Sequence, residues 1–448
     1  KTKQTTTEPS LLNFAYALQQ CDQSLATCPQ SVLDTTIHQL DTLISAQLDE
    51  ILHAPDYLTL AATWIGSHEL IDCHTEQSNI KLKFLSLTQA ELNSAANTSS
   101  AYDKSYLYQL IYDNEFNMPG GEPFDILIGD YYFDHNEQNI VSLTYLSHIA
   151  SSAVCPFIAG ISPTLFKVKQ WADLHKVSTL SNLIATNDHI AWRELRASEN
   201  SKFIVLAAPC YLGKYTQKAA ANVTDYCYNE LIQSDTDYCW VNAAFAQARC
   251  ILQAYNTYGW CTAIRGREGG GQISRLPLTR DLCATQTQFT DSEEHALSQQ
   301  GIIPLCHYKN TNYAVIFACD TLHQPKRYDD TIATSNAKIS ARLPYILATS
   351  RFAHYLKVIA RDKIGTFMDR DDLEHWLNTW ISQYVNANAK SRGDLKARFP
   401  LAEASVQVHD DADHPGRYQA IIHLKPWLQL EELSVSLRLV TDIPKSRS

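Results

Sequence analysis

At 448 residues, 45% of them hydrophobic and 19% charged, the chain has room for two or three domains, each with a full core. A formal net charge of −11 speaks against nucleic acid as a partner, since phosphate backbones are held by clustered lysine and arginine. No segment has the ~20 nearly uninterrupted apolar residues of a membrane span, so direct membrane insertion is not expected.

Residues 1–10 are polar, and SLLNFAYALQQC (10–21) reads as a short helix presenting Leu11, Phe14, Ala15 and Leu18, with Leu12 beside them. Alone such a helix is marginal in water, which leaves either a tail or a peptide that another protein grips. After Pro29, the residues Leu33, Ile37, Leu40, Ile44, Leu48 and Ile51 recur at spacings of 4, 3, 4, 4 and 3. That is close to a heptad seam on a helix over 31–53. The seam either packs on its own domain or pairs with a partner helix, and the spacing fits both.

From residue 56 helices and strands alternate. The pattern predicts helices over 57–70, 139–154 and 238–259, the last ending on Gly259, and a short helix at 291–300 closed by Gly301. Strands are expected at 79–88 (NIKLKFLSLT), 124–133 (FDILIGDYYF), 155–162 (CPFIAGIS), 201–209 (SKFIVLAAP) and 260–266 (WCTAIRG). Residues 302–320 read as a hairpin turning at 309–312. This alternation predicts a layered α/β domain with mixed strand directions over 56–330, in a chain that is α+β overall.

The final part differs. Residues 328–385 carry apolar residues at helical spacing (Leu343, Ile346, Leu347, Leu356, Ile359), interrupted by Arg351, His354 and Lys357. Pro344 should kink this run or mark its effective start, and Asp369 is placed to cap a second helix. Three alternating strands follow, at 401–410, 417–426 and 432–440. In the last, Leu433, Val435, Leu437 and Leu439 share one face. The organisation expected is an N-terminal helical segment (1–55), a central α/β domain (56–330) and a small helix-plus-sheet domain (331–448).

No pattern carries chemistry. The glycine cluster at 266–272 (GREGGGQ) lacks the Lys-Ser/Thr of a phosphate loop and no helix follows it; a soluble α/β enzyme binding a nucleotide at 266–271 is the rival reading. The segment HELIDCH (68–74) lacks the second histidine at the spacing a zinc helix needs. Adjacent Cys306 and His307 on a strand point to opposite faces and cannot readily pair. The 12 cysteines contain no C-x-x-C and lie mostly in apolar runs, and the opening residues carry no apolar leader. These features read as a reduced cytosolic protein with core thiols and no catalytic residue, cofactor or metal.

Several long motifs in order resemble one family. They are GGEPFDILIGDYYFDH (120–135), PFIAGISPTLF (156–166), NAAFAQARCILQAYNTYGWCTAIRG (242–266), residues 269–277, PLCHYKNTNYAVIF (304–317) and QLEELSVSLRLV (429–440). Together they are similar to the large sheath subunit of bacterial type VI secretion systems, the TssC or VipB family, from about residue 51 onward. There are departures: the chain has Trp64-Ile65-Gly66-Ser67 where the family usually has Trp-Arg-Gly-Leu, and the usual arginine near Pro209-Cys210-Tyr211 is absent. The resemblance implies a cytoplasmic structural protein that pairs with a small subunit (TssB or VipA). The two polymerise into a contractile sheath around a tube of Hcp rings, on a baseplate, and the unfoldase ClpV recycles the contracted sheath. By the same resemblance, the seam helix falls where the small subunit packs, residues 11–20 near a region the unfoldase grips, and the C-terminal strands in a sheet that neighbouring subunits share. A sheath of a phage-like contractile particle is the near alternative.

Overall fold

The computed structural model describes residues 29–74, 79–98, 102–177, 179–218, 226, 228–363, 369–388, 390–410, 418–427 and 429. The expected helix at 10–21 and the expected strand at 432–440 lie outside the described residues. The chain divides into two compact units, one made of residues 1–60 with 215–239, the other of 61–214 with 240–448. In the first unit, helix α1 (Pro29–Leu52) carries the seam residues of the sequence, and the segment 226–231 lines one of its sides.

The second unit is built on a mixed six-stranded sheet. Its strands are β1 (Leu127–Phe133), β2 (Phe157–Ile161), β3 (Ile204–Ala208), β4 (Gln272–Ile273), β5 (Ile302–His307) and β6 (Ala314–Ile316), in the order β1-β2-β3-β5-β6-β4. The first four in that order run parallel, and β6 and β4 are antiparallel additions. Strands β2, β3 and β5 are buried along their whole length, as parallel strands covered on both faces must be. Helix α2 (Pro55–Asp72) reaches the sheet's helical layer through Gly66, where an added Cβ would fall 2.5 Å from the Phe245 ring.

Helix α5 (Ala243–Tyr258) shows how local sequence fixes the layers. Asn242 caps it, accepting the Ala244 N–H at 2.9 Å, while its amide donates to Tyr131 O and to Asp130 on β1. Gly160 leaves the room this amide occupies, since a Cβ there would come within 2.6 Å of it. At the other end Gly259 turns the chain out in the left-handed conformation, φ 74°.

Two expected strands are not strands. Residues 79–88 form no regular element, and among the described residues no strand pairs with them; the ion pairs Lys81–Glu122 and Lys83–Glu115 hold the segment instead, and Phe84 and Leu85 face solvent. Residues 260–266 lie between Gly259 and Gly266, both at positive φ, and pack Trp260 into an aromatic cluster instead of extending a ladder. The helical run is also divided into three: α7 (Thr331–Ser340), α8 (Leu343–Asp362) and α9 (Arg370–Ser382). Pro344 sits in the first turn of α8 and marks its start without a kink. Asp369 occupies the cap position of α9 but makes no side-chain capping bond.

The residues that interrupted the apolar run of α8 are those that tie it to the α/β layers. Arg351 lies over the rings of Tyr255 and Trp260 and donates to Gly259 O at 2.9 Å, closing the end of α5. The His354 ring bonds through Nε2 to Ala153 O, at the end of helix α4 (Glu137–Ala153). Lys357 sits 3.5 Å over the Phe116 ring in the π-helical stretch Gln109–Asn117. Around them Trp260 stacks on Phe352 with centroids 4.9 Å apart and meets Tyr384 edge-on. Trp260→Ala is expected to destabilise the second unit by about 3–5 kcal/mol, the usual loss for a buried aromatic. Urea denaturation of the chain checks it, and a loss below about 1 kcal/mol would mean another contact holds α8 in place.

Candidate assembly surfaces

Helix α1 is amphipathic in the reverse of the usual sense. Its polar positions Ser45 and Asp49, with His53 just past its end, are four residues apart and face the chain's own 226–231 segment. Ser45 Oγ and Tyr226 OH share a 3.0 Å bond, Asp49 accepts Tyr228 OH and Leu231 N–H at 2.5 and 3.2 Å, and the His53 ring meets Glu230 at 3.2 Å. Burial beside Asp49 pushes the Tyr228 phenol upward in pKa. At 100° per residue the apolar seam lies roughly 140° round from this stripe. Accordingly Ile37, Leu40, Ile44 and Ile51 remain 55, 47, 47 and 55% exposed, and Leu48 is half-buried. Leu33 belongs to the helix, but its side chain is outside what is described. Leu43 adds to the open apolar surface at 60% exposure, and the seam spacing had passed over it.

The second surface is the sheet of β7 (Leu401–Asp410) and β8 (Tyr418–Pro426), an antiparallel pair with one apolar face on α9. Leu377 and Ile381 of α9 meet Leu401, Val406 and Val408 in one cluster, with Ile422 and Leu424 against it. The outer edge of β7 is closed by side chains. Asn378 bonds both main-chain groups of Val406, donating to its O at 2.8 Å and accepting its N–H at 3.0 Å, and Glu374 accepts Val408 N–H at 2.8 Å. Leu401 is bonded on the same side by Tyr384 O and Asn386 N–H. Val406 therefore turns its main chain away from β8, and its partner Ile422 turns the other way, as non-hydrogen-bonded antiparallel pairs do. Among the described residues, nothing pairs with the outer edge of β8 at Ala420, Ile422 and Leu424. The residues expected to supply a further strand, Leu433, Val435, Leu437 and Leu439, lie outside the described residues, as do Leu11, Leu12, Phe14, Ala15 and Leu18.

The glycine cluster is a packed turn. Gly266 and Gly270 adopt φ 68° and 93°, and a Cβ on Gly269, Gly270 or Gly271 would come within 2.3, 2.1 or 2.7 Å of main-chain oxygens. Two of its N–H groups are used internally, Gly266 N–H to Ile316 O and Gly271 N–H to Gly266 O. The thiol of Cys306 is pushed up to about 12 by burial, with Glu294 and Asp291 adding to it, and Cys210, Cys250 and Cys261 likewise to about 12 by burial. A thiol raised in this way carries little thiolate at neutral pH. In the 68–74 segment, His68 pairs with Asp72 on the surface. Glu69 instead accepts the buried Tyr211 OH at 2.5 Å, with Arg249 at 3.8 Å.

The comparisons with known proteins bear on the whole chain. Residues 34–323 match the VipB family model for the EvpB tail sheath N-terminal domain, and residues 332–443 match its gpW/gp25-like tail sheath domain. The chain belongs to the VipB (TssC) family of type VI secretion sheath proteins. It is 36% identical over 430 residues to the type VI secretion system sheath protein TssC1 of Pseudomonas aeruginosa, covering 93% of this chain and 86% of that one. Among solved structures it is similar to a chain of the anti-feeding prophage baseplate, with 10% identity, TM-score 0.41, and 82% and 84% of the two chains covered. A second similarity is to the sheath complex of the PVC extracellular contractile injection system in its contracted state, with 8% identity, TM-score 0.39 and coverage of 66% and 68%. No helix among the described residues is long and apolar enough to cross a membrane.

Burial raises the Glu69 carboxyl above its ordinary 4.5, outweighing the lowering from Tyr211 and Arg249. An acid with a raised folded pKa binds more protons folded than unfolded, so stability falls as pH rises from about 4.5 through the folded pKa. Glu69→Gln is expected to remove part of that fall. The urea midpoint of wild type relative to the variant should be lower at pH 7 than at pH 4.5, and an equal difference at both would contradict the assignment.

Proposed function

We propose that this chain is the large subunit of the contractile sheath of a bacterial type VI secretion system. It co-polymerises in the cytoplasm with a small sheath subunit (TssB/VipA) around a tube of Hcp rings, on a baseplate, and contracts to drive the tube outward. ClpV, acting on residues 11–18, recycles it after contraction. The observation that carries this reading is the apolar seam of α1, turned to solvent while the helix's polar stripe binds its own chain. A helix of about 36 Å with such a seam is stable in water only when another helix covers it. The edge of β8 supports the second contact of the polymer, main-chain pairing with a strand of a neighbouring copy. Strand exchange joins subunits firmly and still allows them to turn as rigid bodies, which is what contraction requires.

Co-expression with the small subunit is expected to give tubular polymers by negative-stain microscopy; well-behaved monomers would count against the reading. Within that system, replacing Leu40 and Ile44 by Asp should weaken co-purification of the small subunit at least about a hundredfold, from roughly 1.5 kcal/mol for each lost contact. Stability of the chain alone should hold within about 0.5 kcal/mol per site, since both side chains are exposed. Unchanged co-purification would remove α1 from the interface. Leu437→Pro, which deletes a ladder donor, should abolish polymers and spare the heterodimer. Polymers that persisted in this variant would refute strand exchange.

A further inference from the structure

Beside the start of α8, a cavity of about 110 Å³ is lined by charged side chains of both signs. Its walls are helix α6 (Asp291–Gln299), residues 317–320 beyond β6, Arg265, and Arg342 at the cap position of α8. Two of the charges answer each other: Asp320 accepts Ser298 Oγ at 2.6 Å and stands 3.6 Å from Arg342 Nε. The other two do not. Arg265 is fixed through Nε, which donates to Phe317 O at 2.7 Å, and its terminal nitrogens have no hydrogen-bond partner among the described residues. The half-buried Glu294 carboxylate makes no hydrogen bond or ion pair among the described residues. Burial raises this carboxyl above its ordinary 4.5; His295 and Arg265 oppose the rise, and Asp320 and Asp291 add to it. Arg265 and Glu294 therefore feel each other's charge across the cavity, yet no ion pair joins them.

A guanidinium and a carboxylate that line one small cavity without touching suit a solute that carries both charges. We infer that this cavity binds a small zwitterion of the free α-amino acid class, its carboxylate on Arg265 and its ammonium on Glu294. Charge decides against simpler ligands. An anion on Arg265 meets the carboxylates of Glu294 and Asp320, and a cation on Glu294 meets the guanidinium groups of Arg265 and Arg342. Size narrows the class further. At roughly 10–15 Å³ for each water position, the cavity takes a solute of little more than half a dozen heavy atoms, an amino acid with little or no side chain. Both contacts are charge-assisted, and the planar fork of arginine matches a carboxylate. The site adjoins the Asp320–Arg342 bridge and the bond from Leu343 N–H to Cys319 O at 2.9 Å, which root α8 in the α/β layers. An occupant thus braces α6 against that root. The inference is independent of the sheath reading.

The test is a saturation-transfer NMR titration of the full chain with glycine, at constant ionic strength. Glycine is expected to bind saturably with a Kd of about 1 mM, within reach of a ligand of its size. Acetate, methylamine and inorganic phosphate, added as competitors, should each show a constant at least about tenfold higher, because each meets only one of the two charges favourably. Glu294→Gln keeps the side-chain shape and breaks no bond within the chain, and it should weaken glycine at least about tenfold. Arg265→Met should do the same from the other side, and the wild-type titration decides the site even where that variant fails to fold. No saturable glycine signal up to about 50 mM overturns the inference. So does acetate or phosphate that competes as tightly as glycine itself, which would make this an anion site, and so does unchanged glycine binding in Glu294→Gln.

Discussion

Two antiparallel strands do not make a stable sheet in water by themselves, and the C-terminal domain is arranged around that constraint. Helix α9 meets it from one side. It covers the apolar face with Leu377 and Ile381 and closes the β7 edge with Asn378 and Glu374. The closure is asymmetric: among the described residues, no side chain bonds the outer edge of β8 in this way. With the β7 edge sealed by two polar side chains, a further strand can join this pair only at β8.

That sheet transmits nothing unless it is fixed to the larger domain. The fixing runs through α8, whose cationic residues engage the α/β layers at Gly259, at Trp260 and Tyr255, and at Phe116. The rings of Trp260, Phe352 and Tyr384 fill the space between. Cations over aromatic faces and a helix end closed by guanidinium give directional contacts as well as buried area. In a contracting polymer, such a joint moves the two domains together. Helix α1, by contrast, is held through polar bonds to a short segment, and its apolar face stays exposed.

Much of this was legible in the sequence, and the failures have physical causes. Gly259 marked the end of α5 because caps are local, whereas its start was expected at 238 and lies at Ala243; apolar runs marked β2 and β3 because parallel strands are buried on both faces. Pro344 marked the start of α8. Alternation at 79–88 misled, since a period of two reports one apolar face and says nothing about whether a neighbouring strand exists. The stretch 260–266 misled because its apolar residues serve an aromatic cluster assembled from distant helices. Arg351, His354 and Lys357 read as interruptions, yet they are among the contacts of α8 with the α/β layers. Asn378, Glu374 and Gln429 left no signal at all: each bonds main-chain atoms 28, 34 and 160 residues away, and no periodicity records that. The seam residues were found by spacing, but whether they face the chain or its surroundings depended on Tyr226, Tyr228 and Glu230, far along the sequence.

The central claim is that the open edge of β8 is completed by a strand of another copy. A cryo-EM map of the polymer formed with the small subunit addresses it most directly, at a resolution that traces the connection after Gln429. The expected result is a strand on the β8 edge whose density leads through residues 432–440 into a neighbouring subunit. A strand there that joins its own chain through residues 427–431, or an edge left bare in an ordered polymer, would contradict the account.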